Sequence, residues 1–186
     1  MTRYSKQKLI FTILVLTLLI YHRTNIVNTF FPKEYPNVTL TDLCSDLTWT
    51  KNKSEVDEIL SNKYNLVLSG EETNKSVGYT SEILEYSGGK FNGIPTKSWK
   101  ILYKNKNISN ISIEFTANDN QSKIKKMNKL GDVIVASENP KITIIDFNKT
   151  YKVNHNNKFF GYCKFREPAG KNKFGIVFYN PQIKLL

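Results

Sequence analysis

Histidine and cysteine, the residues that most often act as nucleophile, base or metal ligand, are scarce in this sequence. The 186 residues include two of each: His22, His155, Cys44 and Cys163. None of them lies in the paired spacing of a zinc site. No Ser or Cys stands in a nucleophile motif beside a histidine. We therefore expect no catalytic residues, no metal site and no cofactor.

Arginine and alanine are also rare, with three residues each, against 24 lysines, 21 asparagines and 18 isoleucines. Lys, Asn and Ile have A/T-rich codons, so base composition explains much of the net charge of +11. The remainder indicates an anionic partner, either an acidic protein or an anionic envelope surface. The shortage of arginine argues against a nucleic-acid partner, because the bidentate hydrogen bond from arginine to guanine is the commonest specific base contact.

The positive charge is concentrated in the second part of the chain. Residues 1–115 carry 14 basic and 11 acidic side chains, whereas residues 116–186 carry 13 and 5. The densest basic cluster consists of Lys123, Lys125, Lys126 and Lys129. A solvated helix face explains such a cluster, and so does docking to an acidic protein or anionic surface. We take these four lysines as the candidate partner-binding residues.

Long apolar runs are missing except near the start of the chain. Residues 1–8 form a cationic n-region, and residues 9–21 are apolar and uncharged. These 13 residues span roughly 20 Å as a helix, short of a bilayer core of about 30 Å. No small-x-small cleavage site follows them. We predict an uncleaved signal-anchor over residues 9–25, with a cleaved signal peptide as the alternative.

The charges around this run predict where the chain is located. More positive charge precedes the run than follows it at once, which places the N-terminus in the cytoplasm. We therefore predict a single-pass protein of the inner (cytoplasmic) membrane with the bulk of the chain in the periplasm or outside the cell. Residues 26–39, with Pro32 and Pro36, are predicted to be an extended linker.

The two cysteines fit an exported chain. An even number of cysteines in such a compartment predicts one disulfide, between Cys44 and Cys163. It would tie the beginning of the folded part to its end. Two buried thiols are the alternative.

The apolar patterning predicts an α+β fold made of an antiparallel sheet and short helices. A helix with Ser54 as N-cap and Val56, Ile59 and Leu60 on one face is followed by strands that include Trp99–Tyr103 and Ile111–Phe115. A second helix, with Ile124, Met127 and Leu130 on one face and Gly131 at its end, is again followed by strands, at residues 141–147, 151–153, 159–166 and 174–179. The order suggests two tandem units, residues 40–115 and 116–186.

A glycine-rich stretch, YSGGKFNGIP, resembles a phosphate loop at first sight. Lys90 follows Gly88 and Gly89, but Phe91 stands where a phosphate loop has Ser or Thr. A strand, not a helix, is predicted after it. We predict a bend between strands, with Lys90 solvated.

Other chemical groups have simple explanations in the sequence. The acidic pair Glu71 and Glu72 is predicted to lie in a loop, and His155 in an exposed turn. Three aromatic residues of the last strands are candidate anchors for a partner, or part of the core: Phe160, Tyr162 and Tyr179.

Three segments together resemble a known family: LTWTKNKSEVDEIL, YSGGKFNGIP and WKILYKNKNISNISIEF. They look like the small αβ modules of bacterial envelope proteins, shared by β-lactamase-inhibitor proteins and small outer-membrane-assembly lipoproteins. The resemblance covers residues 47–115, with a second copy of the element order at 120–186. The Gly-x-Pro that ends the helix in that family and the lipid-bearing cysteine are missing here.

The sequence thus predicts a non-enzymatic, membrane-anchored binding protein outside the cytoplasm. The resemblance implies an inhibitor or immunity protein for a toxic or hydrolytic partner. The alternative is an envelope-assembly or surface protein that binds anionic lipid or polysaccharide.

Overall fold

The structure is a computed structural model of the chain. The residues that it describes are 35–76, 78–135, 149–156, 158–167, 170 and 172–182. The predicted signal-anchor at residues 9–25 and the predicted strand at residues 141–147 lie outside them. Among the described residues, no helix is long and apolar enough to cross a membrane.

Nine strands lie in the described residues. They are β1 (Asn37–Val38), β2 (Val67–Ser76), β3 (Tyr79–Ser87), β4 (Lys90–Phe91), β5 (Ile94–Lys104), β6 (Asn107–Thr116), β7 (Thr150–His155), β8 (Lys158–Arg166) and β9 (Lys173–Tyr179). The main sheet has the order β2-β3-β5-β6-β9-β8-β7, and each neighbouring pair is antiparallel. A small ribbon, β1 with β4, joins the beginning of β5.

Three helical segments accompany the sheet: α1 (Leu40–Asp46), α2 (Lys53–Asp57) and α3 (Asn120–Val135). The structure therefore confirms the predicted α+β class with a largely antiparallel sheet and few short helices. Helix α2 continues through Glu58–Lys63 as a wider turn. At its end the Tyr64 amide donates to the Ile59 carbonyl, five residues back, at 3.1 Å.

The helices cover one face of the sheet, which we call the inner face. Alternate strand residues point to it and are buried, including Trp99, Ile101 and Tyr103 on β5. Val56 and Leu60 of α2 are completely buried in the same core, as predicted. The opposite, outer face has no helix on it among the described residues, which is the usual arrangement of an antiparallel sheet with one solvated side.

The helix α2 begins two residues before the predicted start. Asn52, not Ser54, is the N-cap, and its side chain accepts from the Glu55 amide while Glu55 reaches back to the Asn52 amide. Helix α1 has the same reciprocal cap, formed by Thr39 and Asp42. The prediction did not include α1, although Thr-x-x-Asp before an apolar residue is a sequence pattern of such a cap.

Helix α3 differs from its prediction in length and in orientation. It continues through Gly131 to Val135. Its buried residues follow a helical spacing of four, three and four: Lys123, Met127, Leu130 and Ile134. Ile124, predicted to face the core, is 52% exposed instead. The reason is that Glu167 neutralises Lys123, so a lysine stem can fill a core position.

The two predicted tandem units share one sheet and one core. Strand β6, from the first unit, pairs along its length with β9, from the second. The stacked rings of Phe115 and Phe174, 4.8 Å apart, belong one to each. The described residues of both segments therefore lie in one compact unit.

The stretch around Lys90 turns the chain between longer strands, as predicted, but Lys90 and Phe91 themselves form the short strand β4, and Lys90 is half-buried rather than solvated. Gly88, Gly89 and Gly93 all have positive φ. At Gly89 an added Cβ would also lie 2.5 Å from a Leu66 methyl carbon, so this position has no room for a side chain. Glu71 and Glu72, by contrast, were predicted in a loop and lie on β2. Their strand was missed because its polar residues do not alternate with apolar ones.

The predicted disulfide is not formed in the structure, in which Cys44 is a free, buried thiol and Cys163 is also buried. Cys44 lies on α1 and Cys163 in the middle of β8. Each is surrounded by core side chains, where a thiol packs as a small apolar group. For Cys44 the structure thus has a buried thiol, as in the second alternative that the sequence left open.

Candidate functional site: an aromatic groove beside helix α1

A groove of about 400 Å³ lies between the end of α1 and the turn from β7 to β8. One wall comes from α1 and the residues after it, with Ser45, Thr48 and Trp49. The other comes from His155 and Asn156 and from the beginning of β8, with Lys158, Phe159 and Phe160. A volume of this size is in the range of ligand pockets, which are usually lined by apolar and aromatic side chains with a few polar groups.

Trp49 is held in place at the base of this groove. Its ring lies on Phe160, with ring centres 4.8 Å apart, and its indole N–H donates to the Phe160 carbonyl. Gly161 makes this close approach feasible, because a Cβ there would be 3.1 Å from Cζ2 of Trp49 and 2.5 Å from the Tyr179 carbonyl oxygen. The indole is therefore fixed before any ligand arrives, which lowers the entropy cost of binding.

Phe159 is the exposed aromatic residue of the groove. Its side chain is 45% exposed, and its ring meets Tyr162 edge-on at 5.0 Å. The sequence had named Phe160 as a candidate anchor, but Phe160 is only 8% exposed and belongs to the core. The two residues are neighbours on β8, and the irregular register beside them decides which one is buried.

The polar groups of the groove come from the β7–β8 turn. His155, predicted to be a solvated turn residue, is the last residue of β7 and is half-buried. Its Nε2 lies 3.0 Å from Nδ2 of Asn156, which turns the chain with a positive φ. Lys158 is exposed and begins β8. An imidazole and an ammonium group thus lie beside the aromatic rings.

Cys44 also lines the groove, but its thiol is not set up for nucleophilic chemistry. Burial raises its pKa to about 12. A nucleophilic cysteine needs the opposite, a pKa lowered by a positive neighbour or a helix N-terminus. At neutral pH the Cys44 thiol is therefore protonated and contributes apolar surface.

The nearby acidic residues of α1 are engaged elsewhere. Asp42 accepts from Thr39 in the helix cap. Asp46 accepts from Tyr64 and lies 2.7 Å from Nζ of Lys63. Burial alone would raise the pKa of Asp46, but these two hydrogen bonds and the charge of Lys63 outweigh it, so the pKa is lowered. Among the described residues no carboxylate lines the groove, and its charge therefore favours an anionic occupant.

The lysine cluster on α3 is not one continuous binding surface. Lys123 is buried and forms an ion pair with Glu167. Lys126 donates to the Thr116 carbonyl at 2.9 Å. Lys125 and Lys129 are exposed. Two of the four thus make contacts within the fold, and Lys125 and Lys129, four residues apart on one face of the helix, remain the exposed part of the predicted partner surface.

The other two aromatic residues predicted as partner anchors lie on the last strands of the sheet. Tyr162 and Tyr179 are half-buried on the outer face and are direct neighbours across β8 and β9. The described residues contain no group of three or more His, Cys, Asp or Glu side chains close enough to hold a metal ion.

Comparisons of the chain with family models, with curated proteins and with solved structures found no match. The functional argument therefore depends on the geometry of the chain itself.

Proposed function

We propose that this chain is a non-enzymatic binding protein that holds an acidic segment of a protein partner in the aromatic groove. The observation that supports the proposal is the combination of a fixed indole, Trp49, with an exposed ring, Phe159, in one concave site. Rigid aromatic residues beside a pocket are the usual anchors of protein interfaces.

The charge of the groove supports an acidic segment over a basic one. Lys158 and His155 are its charged or chargeable groups among the described residues, and the acids of α1 are engaged in hydrogen bonds. A partner with a carboxylate beside an aromatic or aliphatic side chain would complement both properties.

The proposed address is outside the cytoplasm, with residues 9–25 as a membrane anchor. In its sharpest form the proposal makes the chain an inhibitor or immunity protein for a toxic or hydrolytic partner. This form is supported by the resemblance of residues 47–115 to small αβ modules of inhibitor proteins. This form requires that the partner loses its activity when its acidic segment is bound in the groove.

Site-directed photo-crosslinking in cells tests the proposal. A benzophenone amino acid replaces Phe159 in the full chain, and a matched control carries it at Val67, which is 60% exposed on the far edge strand β2. We expect one protein adduct from position 159 and none from position 67. The adduct should disappear when Trp49→Ala is added, because the indole forms the base of the groove.

The partner identified by crosslinking is then tested for inhibition by the chain. The purified full chain in neutral detergent should inhibit it, and Phe159→Ser should weaken the inhibition at least tenfold, since burial of an aromatic side chain contributes about 1.5–3 kcal/mol. Equal adducts from positions 67 and 159, or none from 159 in cells that fold the protein, would contradict the groove as a docking site.

A further inference from the structure

The outer face of strands β7, β8 and β9 carries a second set of side chains that the groove does not use. Lys152 is the register partner of Tyr162, which in turn is the partner of Tyr179. Lys164 and Arg166 follow Tyr162 at every second residue of β8 and therefore point to the same face. We call these five residues the basic aromatic face: Lys152, Tyr162, Lys164, Arg166 and Tyr179.

The spacing on this face is regular. Tyr162, Lys164 and Arg166 succeed one another at roughly 7 Å along β8, since each residue of an antiparallel strand advances the chain by about 3.4 Å. Lys152 and Tyr179 flank Tyr162 on the two neighbouring strands, at about 5 Å. One tyrosine ring and two cations thus follow one another along β8. A second tyrosine, Tyr179, and a third cation, Lys152, lie beside Tyr162 on the neighbouring strands.

The three cations of this face have no ion-pair partner among the described residues. Arg166 instead donates to the Tyr179 hydroxyl at 2.7 Å. Two acids line the same depression as Arg166 and pair with cations outside this face, Glu114 with Lys97 at 3.3 Å and Glu167 with Lys123. Lys152 and Lys164 are therefore not neutralised by an ion pair in the described part of the chain, whereas Arg166 lies near two carboxylates.

A depression of about 340 Å³ borders the basic aromatic face. It is lined by the small or apolar residues Ser112, Gly175 and Val177, by the cations Arg166 and Lys100, and by the carboxylates Glu114 and Glu167. The small residues leave space for a ring beside Arg166, but the two carboxylates make the charge of the depression mixed. The face therefore combines repeated positive charge and half-buried aromatic rings with a ring-sized recess at its border.

We propose that the basic aromatic face binds an anionic polysaccharide. The tyrosine rings offer flat apolar surfaces for the C–H faces of sugar rings, and Lys152, Lys164 and Arg166 take the carboxylate or sulfate groups. A linear polymer with charge at regular intervals fits cations repeated along a strand better than a folded acidic protein does. This inference uses none of the residues that line the groove, although the ring of Phe159 contacts that of Tyr162.

Binding of the full chain, in neutral detergent, to heparin and to polygalacturonate tests this inference, with neutral dextran as the negative control. We expect binding to both anionic polymers and none to dextran, and a loss of affinity with added salt. The triple variant Lys152→Gln, Lys164→Gln, Arg166→Gln should weaken binding at least tenfold. The matched triple variant Lys75→Gln, Lys104→Gln, Lys125→Gln removes the same charge from exposed positions elsewhere and should change it less than twofold.

A second variant separates stacking from charge. Tyr162→Ser with Tyr179→Ser leaves the net charge unchanged and should weaken binding to both polymers about fivefold or more. Trp49→Ala, which removes the fixed indole of the groove, a ring that packs on Phe160 rather than on Tyr162, should leave it intact, so that failure of the groove proposal and failure of this one remain distinguishable. Circular dichroism and urea unfolding verify that each variant is folded.

Three results would overturn the inference. Equal weakening by both triple variants would show that total charge, not this face, decides binding. No effect of the tyrosine double variant would remove the sugar-stacking argument. Tighter, face-dependent binding of oligothymidylate or polyglutamate than of either polysaccharide would assign the face to single-stranded nucleic acid or to an acidic protein.

Discussion

The two halves of the outer sheet face differ in whether their cations form ion pairs. On β3, β5 and β6, Lys100 lies 3.3 Å from Glu85, and Lys97 lies 3.3 Å from Glu114. On β7, β8 and β9 the cations Lys152, Lys164 and Arg166 have no such partner in the described part of the chain. Both halves belong to one continuous sheet, so the fold itself does not explain the difference.

This contrast bears on the origin of the positive charge. Lysine supplied by codon bias alone would be scattered over the surface without regard to acids. Here the middle of the first half is balanced by glutamates, whereas the second half concentrates cations beside tyrosine rings. A cluster of unpaired cations lowers the stability of the fold through mutual repulsion. Binding of an anionic ligand to these cations would be one reason for the protein to retain them.

The largest expected effect concerns the glycine that lets β8 and Trp49 approach. Gly161→Ala should destabilise the fold by about 3 kcal/mol, because its Cβ would meet backbone oxygen at 2.5 Å. Gly70→Ala on β2 is the control, since its Cβ would meet Glu85 Cβ at an ordinary 3.7 Å. Urea unfolding followed by tryptophan fluorescence measures both. Equal destabilisation would contradict the close packing inferred at β8.

The next effect concerns the ion pair of Lys123 and Glu167, in which one partner is buried and the other exposed. Glu167→Gln should cost about 1–2 kcal/mol, because it leaves the Lys123 charge unpaired in the core. Lys123→Met should be neutral or stabilising, since it fills the same space without a charge. The free energies of unfolding in urea decide, and a larger loss for Lys123→Met than for Glu167→Gln would reverse this assignment.

A smaller effect concerns Asp46, the paired acid that joins α1 to the end of α2. Its pKa is lowered in the folded state, so its stabilisation is present at neutral pH and is lost as the pH falls from about 4 through the folded value. Asp46→Asn should cost about 1 kcal/mol at pH 7, and the variant and the parent should converge in stability in acid. A constant difference from pH 7 to pH 2 would argue against this linkage.

The smallest effects are expected when an acid is added next to an unpaired cation of one half, or removed from an ion pair of the other half. Thr150→Glu places an acid opposite Lys164 and should stabilise the fold by about 0.5 kcal/mol while weakening polysaccharide binding. Glu85→Gln releases Lys100 and should destabilise by a similar amount without weakening that binding. Unfolding free energies and heparin affinities are measured together. A Thr150→Glu variant that binds as tightly as the parent would show that Lys164 does not contact the ligand.

Local patterns predicted much of this fold. The α+β class, the predicted strands Trp99–Tyr103 and Ile111–Phe115, which lie on β5 and β6, and the positive-φ turn at Gly88 and Gly89 all agree with the structure. These features depend on neighbouring residues, so the sequence contains their causes. Strand β2 was missed because it is a polar edge strand that is held by its hydrogen bonds to β3.

The candidate sites were predicted less well. The sequence pointed to the lysines of α3, but the fold uses Lys123 and Lys126 internally. It did not point to Trp49 and Phe159, which are 110 residues apart and meet only because α1 lies beside the β7–β8 turn. The signal that was present is the glycine at position 161, next to two phenylalanines in a strand, where a close approach is a common reason for glycine.

The sequence by itself determined the fold class, the turns, the faces of the strands and the overall excess of positive charge. These follow from side-chain chemistry over a few neighbouring residues, which is a local property. Only the tertiary structure decided which charges are paired, which aromatic rings are exposed and that both segments share one core. Those depend on strand order and register, since pairing β6 with β9 and β8 with β9 brings together residues that are distant in the chain.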